Sequence, residues 1–431
     1  MLEGLKDAAR RASGERALRS LLGDCRRLLS ERGEANSVGI ARELVARFRA
    51  LPEGQHGGFF ERLSRDFGPD PQAVLKGAEA YAREPTAHNL MHLTRLAEPP
   101  RQELLRRINR SPGGTSSIVA MRRALLARLP ARPELQALEA DFLHLLSSWF
   151  NPGFLQLQRV DWNSPAQLLE QIIRHEAVHQ IDGWDDLRRR LQPDRRCFAF
   201  FHPQLPDEPL IFVEVALLPE MPAAIAPLID KNARPLPPEQ FKVAAFYSIS
   251  NCQPGLKGVS LGNFLIKRVA EELRRELPQL KTFCTLSPIP SFARWLRAGA
   301  QCDLPRPRAE RLGQARSELW EACGGDVDKL ASAAALRALS PEALQALMRL
   351  AAVYLDAESP GEHGDPVARF HLDNGARLER LDPLGDLSAK GVKQSFGMMV
   401  NYLYDLQRVE AHHEKFVHVE VARSRTLAAL L

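Results

Sequence analysis

The sequence predicts a two-domain protein of the α+β class, with an all-α helical bundle over residues 1–155 and an α/β domain over residues 156–431. Three observations predict it. A chain of 431 residues is longer than one ordinary domain. Through the first 150 residues, apolar side chains recur at spacings of three and four, which is typical of amphipathic helices. Beyond Trp149, short runs of β-branched and aromatic residues favour strands.

In the first domain, proline and glycine mark the ends of the predicted helices. These breaks fall at Pro52, Gly57-Gly58, Gly68-Pro69, Pro99-Pro100 and Pro112-Gly113-Gly114. Residues 111–117 (SPGGTSS) have helical patterns on both sides, so we interpret this stretch as a connector and not as a ligand-binding loop.

In the second domain, four apolar runs predict strands. They cover residues 196–202, 210–218, 243–250 and 281–287. Between the last two, apolar residues in an i+4 row predict a helix that begins near Leu261 and that Pro278 ends. The order is therefore strand, loop, helix, strand.

Two further elements are predicted towards the C-terminus. A helix over residues 341–357 has Ser340 as its N-cap and Pro341 in its first position. Residues 367–381 (VARFHLDNGARLERL) predict a β-hairpin, because Asn374-Gly375 lies between alternating runs. His371 would then point to the opposite side of the strand from its apolar neighbours.

Composition excludes several classes of function. The net charge of +5 is small for this length and predicts no nucleic-acid partner. No apolar run approaches the roughly 18 to 20 residues of a membrane helix. The six cysteines form no C-x-x-C pair, and no leader peptide is recognisable, so we expect a reducing, cytoplasmic location.

Residues 175–179 match the H-E-x-x-H pattern, in which two histidines on one helix face bind zinc and the glutamate acts as a base. The longer form of that motif requires a glycine and a third histidine, but Asp182 and Asp185 stand there. An amphipathic helix without metal explains the same residues, and we favour that interpretation.

A glycine-rich loop follows the predicted strand at 243–250 and precedes the next helix. Glycines let a backbone approach a ligand closely, and free amides at a helix start bind anions, so the loop predicts a phosphate cradle. It has neither the P-loop nor the Rossmann pattern, and a tight turn capped by Ser260 is the alternative. Its binding residues would be Gln253, Pro254, Gly255, Leu256, Lys257, Gly258 and Val259.

Ser287 and His371 form a third candidate site. Two prolines follow Ser287 and place its hydroxyl at the end of a strand, where sites beside cofactor loops are built. Taken singly, a serine or a histidine on a strand usually has a structural role.

Together these segments resemble the malonyl-CoA decarboxylase family. The segments are residues 246–250 (FYSIS), 253–262, 264–269 (FLIKRV), 286–290 (LSPIP) and 370–376 (FHLDNGA), with Trp149-Phe150, 153–155, 176–179 and 401–404 (NYLY). The resemblance spans both domains.

The resemblance implies a helical domain used in homo-oligomerisation, as a dimer or tetramer, and a C-terminal domain of the acetyltransferase (GNAT) fold. In that fold CoA lies where two neighbouring strands splay apart. Ser287 and His371 would be the catalytic pair, residues 253–259 the acyl-CoA loop, and Tyr404 part of the acyl pocket. His175 has no counterpart in the family pattern. Lys257 and Arg268 are candidates for binding the CoA 3′-phosphate.

The implied activity converts malonyl-CoA to acetyl-CoA and CO2, in fatty acid metabolism, with no metal or other cofactor. We expect His371, near its ordinary pKa of about 6.5, to donate a proton and Ser287 to bind the malonyl group. Two alternatives use the same elements: an acyl-CoA-dependent N-acyltransferase and a non-catalytic acyl-CoA sensor.

Overall fold

The computed structural model describes residues 2–30, 36–259, 261, 265–361 and 364–431, with side chains from residue 13 onward. Contacts within the chain divide it into two compact units. One comprises residues 1–156, 201–209 and 253–261, and the other comprises residues 157–200, 210–252 and 262–431. Two short segments from the second half of the sequence therefore belong to the helical unit.

The helical unit confirms the predicted bundle. Its α-helices in the described residues are α1 (Leu2–Leu29), α2 (Ser37–Ala50), α3 (His56–Asp66), α4 (Pro71–Arg83), α5 (Ala87–Ala97), α6 (Pro100–Asn109), α7 (Gly114–Leu126) and α8 (Gln136–Trp149). Phe48 on α2 packs on Phe59 of α3 with ring centroids 5.3 Å apart, in the core that the apolar spacing predicts. Residues 110–113 connect α6 to α7, whereas residues 114–117 of the predicted connector form the first turn of α7.

The second unit is built on a mixed sheet. Its strands in the described residues are β1 (Gln156–Val160), β2 (Arg195–Phe201), β3 (Ile211–Leu218), β4 (Val243–Asn251), β5 (Thr282–Thr285), β6 (Ser287–Pro288), β7 (Arg377–Asp382) and β8 (Met399–Leu403). The order is β1-β2-β3-β4-β5-β8-β6, and β7 also pairs with β8. All four predicted strands are present, and the α+β class is confirmed.

Helices cover this sheet and link its strands. They are α9 (Ala166–His175), α10 (Gly183–Arg190), α11 (Ala226–Ile229), α12 (Leu265–Glu276), α13 (Phe292–Arg297), α14 (Arg306–Ala322), α15 (Ala333–Arg337), α16 (Pro341–Val353), α17 (Pro366–Asp373), α18 (Ala389–Ser395), α19 (Val409–Val417) and α20 (Arg425–Ala428). α12 buries the predicted apolar row and crosses over between the parallel strands β4 and β5. α16 has the predicted cap, since Ser340 Oγ accepts a hydrogen bond from the Ala343 amide at 3.2 Å.

Two predicted elements differ from the structure. The hairpin over 367–381 is wrong: residues 366–373 form α17 and only Arg377–Asp382 is a strand, paired with β8. Leu261, near which the helix after β4 was predicted to begin, is not helical, and the described part of that helix begins at Leu265. The predicted cap Ser260 lies outside the described residues.

In the part of the chain that the structure describes, no helix is both long and apolar enough to cross a membrane.

Candidate active site

A cavity of ≈ 280 Å³ opens in the second unit, beside the carboxyl end of β4. Three strands, one helix and one loop form its walls. The lining comes from β4 at residues 246–249 and Asn251, from β6 at Ser287 and Pro288, from α17 at Pro366, Val367, Phe370 and His371, and from Val178 and Ile211. Most of the exposed lining is apolar, and the hydroxyl of Ser287 and the imidazole of His371 supply polar groups at one wall.

The cavity exists because two neighbouring strands separate. β4 and β5 pair in parallel only from Val243 to Phe246, whereas β4 continues along β3 as far as Asn251. The Leu286 amide still donates to the Phe246 carbonyl of β4 at 3.0 Å, and from Ser287 onward the chain pairs with β8, where Ser287 lies opposite Val400. This splay of β4 and β5 agrees with the geometry implied by the acetyltransferase fold.

Ser287 and His371 are in direct contact. Ser287 Oγ lies 3.0 Å from His371 Nε2 and 2.9 Å from Thr285 Oγ1. On the other side of the ring, His371 Nδ1 lies 2.8 Å from the Tyr404 hydroxyl. The ring of Tyr402 stacks on the imidazole with centroids 4.6 Å apart. All five side chains are buried, so the imidazole is fixed both at its edges and on one face.

Burial keeps His371 neutral. The loss of solvent around the imidazole lowers its pKa from 6.5 to about 3. The expectation that its pKa stays near 6.5 is therefore wrong, because no carboxylate among the described residues lies close enough to compensate for desolvation. One ring nitrogen of the neutral imidazole donates a hydrogen bond and the other accepts one.

The local reason for the position of His371 is a capped helix and not a hairpin. Asp365 accepts hydrogen bonds from the amides of Val367 (3.0 Å) and Ala368 (3.1 Å), and Pro366 occupies the first turn. Asp365 also accepts one from the Ser291 amide (3.0 Å), just beyond β6. One buried carboxylate thus links the element of His371 to that of Ser287.

Residues 175–179 do not have the helical geometry of the zinc-binding motif. α9 ends at His175, so the two histidines do not share a helix face. Glu176 instead accepts hydrogen bonds from the amides of Val178 and His179, both at 2.8 Å, and from Ser248 Oγ at 2.7 Å. Its role is to hold this segment against β4, where Val178 lines the cavity. Among the described residues, no group of histidine, cysteine or acidic side chains could hold a metal ion.

The glycine-rich loop is packed within the helical unit. The Gly255 carbonyl accepts a hydrogen bond from the buried Arg122 guanidinium at 2.8 Å, and Arg122 also pairs with Glu139 at 2.6 Å. A Cβ on Gly255 would lie 2.1 Å from the Val119 carbonyl oxygen, so this glycine is required by packing against α7. The Gln253 side-chain amide donates to Glu208 at 3.0 Å.

Other predicted loop residues remain available to a ligand. Lys257 and Gly258 are exposed, and Gly258 adopts a left-handed conformation with φ of 80°. Pro254 is also exposed, whereas Leu256 and Val259 are buried and anchor the loop.

The described structure also brings in residues that the sequence patterns did not single out. Thr285 and Asp365 are such residues: Thr285 contacts Ser287, and Asp365 caps the helix that carries His371. Tyr402 and Glu176 lie in segments that the sequence did single out, but their contacts with His371 and Ser248 were not predicted. Thr285 could have been found from strand alternation, since it lies two residues before Ser287. Tyr404 lies behind His371 and is not among the cavity-lining residues, so its contact with substrate stays a prediction.

Comparison with known families decides the classification. A family model described as the malonyl-CoA decarboxylase C-terminal domain matches residues 153–431, and one described as its N-terminal domain matches residues 67–150. The chain belongs to the malonyl-CoA decarboxylase family. The sequence resemblance is thereby confirmed.

Relatives from animals and bacteria agree with membership in the malonyl-CoA decarboxylase family. Mitochondrial malonyl-CoA decarboxylase of Anser anser anser is 36% identical over 397 residues, covering 85% of this chain and 77% of that protein. The Mus musculus enzyme is 35% identical over 404 residues, covering 88% and 82%. The crystal structure of malonyl-CoA decarboxylase from Rhodopseudomonas palustris superposes with a TM-score of 0.86 at 48% identity, covering 96% of this chain and 99% of that one. The structure from Agrobacterium vitis gives 0.81 at 46% identity, covering 95% and 99%.

Proposed function

We propose that the chain decarboxylates malonyl-CoA to acetyl-CoA and CO2, with Ser287 and His371 as its catalytic residues. The observation that carries the proposal is the 3.0 Å contact between Ser287 Oγ and His371 Nε2 at the wall of the cavity. Membership of a decarboxylase family makes the chain a carboxy-lyase.

The chemistry requires one bond cleavage and one protonation. When the bond between the α-carbon and the carboxylate breaks, its electron pair passes into the thioester and forms an enolate. A proton then adds to the α-carbon, so one proton is consumed for each CO2 released. Stabilising the enolate oxygen and placing the proton donor are the tasks of the site.

The neutral imidazole of His371 is suited to placing the proton donor. A neutral His371 carries one ring proton, which hydrogen-bonds Ser287 or Tyr404 depending on the tautomer. The Ser287 hydroxyl would bind the malonyl carboxylate or the thioester oxygen and pass the proton from His371 to the α-carbon. The negative charge of a bound malonyl group raises the pKa of a neighbouring imidazole, which favours reprotonation of His371 from solvent.

The rest of the substrate would be bound by the glycine-rich loop. We assign the CoA part to residues 253–259, supported by the exposed Lys257 and by the left-handed Gly258. Tyr404 would complete the acyl pocket behind His371. Neither assignment involves a metal or a second cofactor.

The proposal extends to assembly and location. Leu75, Leu90 and Met91 on α4 and α5 are 53%, 45% and 62% exposed, an apolar face that a second copy of the chain would bury as a dimer or tetramer. All six cysteines are free, which suits the reducing cytoplasm, and acyl-CoA thioesters place the reaction in fatty acid metabolism.

The test is to mix EDTA-treated protein with malonyl-CoA and follow acetyl-CoA and CO2. Release of both in equal amounts, lost in Ser287→Ala and in His371→Asn, supports the proposal. Binding of malonyl-CoA without release of CO2 by the wild type would contradict it and favour an acyltransferase or a sensor. Light scattering of the same sample gives the number of subunits, and a monomer would contradict the assembly proposal.

A further inference from the structure

We propose that Thr285 is a positioning residue for the catalytic pair: its hydroxyl accepts the Ser287 proton when His371 carries its own proton on Nε2. The inference rests on the proposed function. It names Thr285 as the neighbour that keeps His371 protonated on Nε2, the tautomer that can donate a proton towards Ser287 and the substrate.

Contacts on three sides fix Thr285. It is fully buried at the end of β5, and its Oγ1 lies 2.9 Å from Ser287 Oγ. The same oxygen accepts a hydrogen bond from the Tyr402 amide at 3.2 Å. Its carbonyl accepts one from the Asn401 side-chain amide at 2.8 Å. The Thr285 hydroxyl therefore has a set position relative to Ser287.

Counting protons shows what this hydroxyl does. Thr285, Ser287, neutral His371 and Tyr404 form a row joined by three hydrogen bonds. Each group carries one mobile proton, so the three hydrogen bonds share one direction, from donor to acceptor. That direction runs along the row either towards Tyr404 or towards Thr285. In either direction one terminal hydroxyl keeps a proton that the row does not use.

The two directions place the imidazole proton differently. When the bonds point towards Tyr404, Ser287 donates to Nε2 and the ring proton lies on Nδ1, away from the cavity. When they point towards Thr285, Nε2 donates to Ser287 and Ser287 donates to Thr285. Only the second direction gives His371 a proton on the side of the cavity.

Without the Thr285 hydroxyl, the arrangement in which His371 Nε2 donates to Ser287 has no acceptor for the Ser287 proton. The buried Ser287 proton would then have no partner among the described residues, and leaving a buried donor unpaired is costly. Ser287 would donate to Nε2 instead, and His371 would hold its proton on the wrong nitrogen. Thr285 thus acts through Ser287 and His371 and need not touch the substrate.

The experiment compares kcat, KM and the thermal midpoint of four single variants and one double variant. They are Thr285→Val, Thr285→Ser, Thr282→Val, Ser287→Ala and Ser287→Ala/Thr285→Val. Thr282→Val makes the same chemical change at the start of β5, outside the row of hydroxyls, and is the matched control. Single-turnover reactions with enzyme in excess make the slow variants measurable.

We expect Thr285→Val to lower kcat about tenfold with KM within about threefold, which corresponds to one lost hydrogen bond in the transition state. Thr285→Ser should restore kcat to within about twofold, and Thr282→Val should match the wild type. In the Ser287→Ala background, Thr285→Val should cause no further loss, because its effect passes through Ser287. If Thr285→Val does not fold, Thr285→Ala replaces it.

Three results would overturn the inference: wild-type kcat in Thr285→Val, failure of Thr285→Ser to restore it, or the same fractional loss with and without Ser287. Failure of the proposed function has a different signature. In that case the wild type would release no CO2, or Ser287→Ala would keep full activity.

Discussion

At the scale of single residues, the site depends on an imidazole that burial keeps uncharged. His371 has no carboxylate partner among the described residues, and both ring nitrogens contact hydroxyl groups. In this respect it differs from a histidine that is hydrogen-bonded to an aspartate, because the aspartate stabilises the charged form of the imidazole. A neutral ring between two hydroxyls can change tautomer without moving charge into the protein.

Removing either catalytic candidate should reduce turnover and not binding. We expect Ser287→Ala and His371→Asn to lower kcat by roughly 10²- to 10⁴-fold, the usual contribution of positioned acid–base groups, with KM within a few-fold. Steady-state assays with malonyl-CoA check this. His88→Asn, at an exposed position on α5, is the control. A raised KM with unchanged kcat would assign these residues to binding.

The depressed pKa of His371 also predicts how stability depends on pH. In the unfolded chain a histidine titrates near 6.5, and in the fold its pKa is about 3. Between these values the unfolded state binds more protons, so the stability contributed by the neutral ring is present above 6.5 and is lost as the pH falls towards 3.

Denaturant unfolding of the wild type and of His371→Gln measures this effect. We expect the unfolding free energy of the wild type to fall, relative to that of His371→Gln, by up to ~1.4 kcal/mol for each pH unit below about 6.5. Parallel curves for the two proteins from pH 7 to pH 4 would show that His371 does not titrate in this way.

At the scale of elements, α17 controls where His371 lies. Asp365→Ala removes three acceptor contacts, to two amides of the first turn and to the Ser291 amide. We expect a loss of about 2–4 kcal/mol in stability and a lower kcat, because the cap and the link to β6 are lost together. Asp70→Ala, which removes the cap of α4, should cost about 1 kcal/mol and leave kcat unchanged. Equal effects of the two substitutions would contradict a special role for Asp365.

A glycine substitution tests the packing of the predicted substrate loop. Gly255→Ala should destabilise the protein by more than about 2 kcal/mol, since the new Cβ would collide with the Val119 carbonyl. Gly313 lies inside α14, and a Cβ added there would meet no described atom within 4 Å, so Gly313→Ala should stabilise by about 0.5–1 kcal/mol. Thermal midpoints of both variants provide the measurement, and a higher midpoint for Gly255→Ala would refute the contact.

The sequence pattern predicted the strands better than it predicted α17. Apolar runs such as residues 210–218 fit a buried strand because every side chain of β3 is buried. The hairpin prediction failed because Asn374-Gly375 can also end a helix. Here Gly375 takes a left-handed conformation with φ of 77°, one residue beyond Asn374, the C-cap of α17. Asp365 and Pro366 were the overlooked signals of a helix start.

Sequence patterns predicted some residues of the candidate site but not the contacts between them. Ser287 and His371 were singled out by their segments, but sequence spacing could not show that they touch, since 84 residues separate them. Thr285 carries no motif of its own, and the sequence assigns no role to Tyr402 within the segment 401–404. Their roles follow from β5, β6 and β8 lying side by side, which depends on long-range pairing that local patterns do not encode.

At the scale of the whole molecule, burial protects five of the six thiols, and Cys302 is partly exposed. Desolvation raises the pKa of Cys25, Cys252 and Cys284 to about 12, so thiolate is scarce at neutral pH. We expect the five buried thiols of native protein to react with iodoacetamide at pH 8 at least about 100-fold more slowly than those of unfolded protein, which should take up six labels. Intact-mass spectrometry over time measures this, and loss of activity in step with labelling would contradict a mechanism without a thiol.

The hydrogen bond from Arg122 to Gly255 joins residues 133 positions apart within one compact unit. A chimera that took the first 155 residues from one family member and the remainder from another would divide that unit between two parents. We therefore expect such a chimera to fold only where the α7 of one parent packs correctly against the glycine-rich loop of the other. For this reason the two segments are expected to be inherited together.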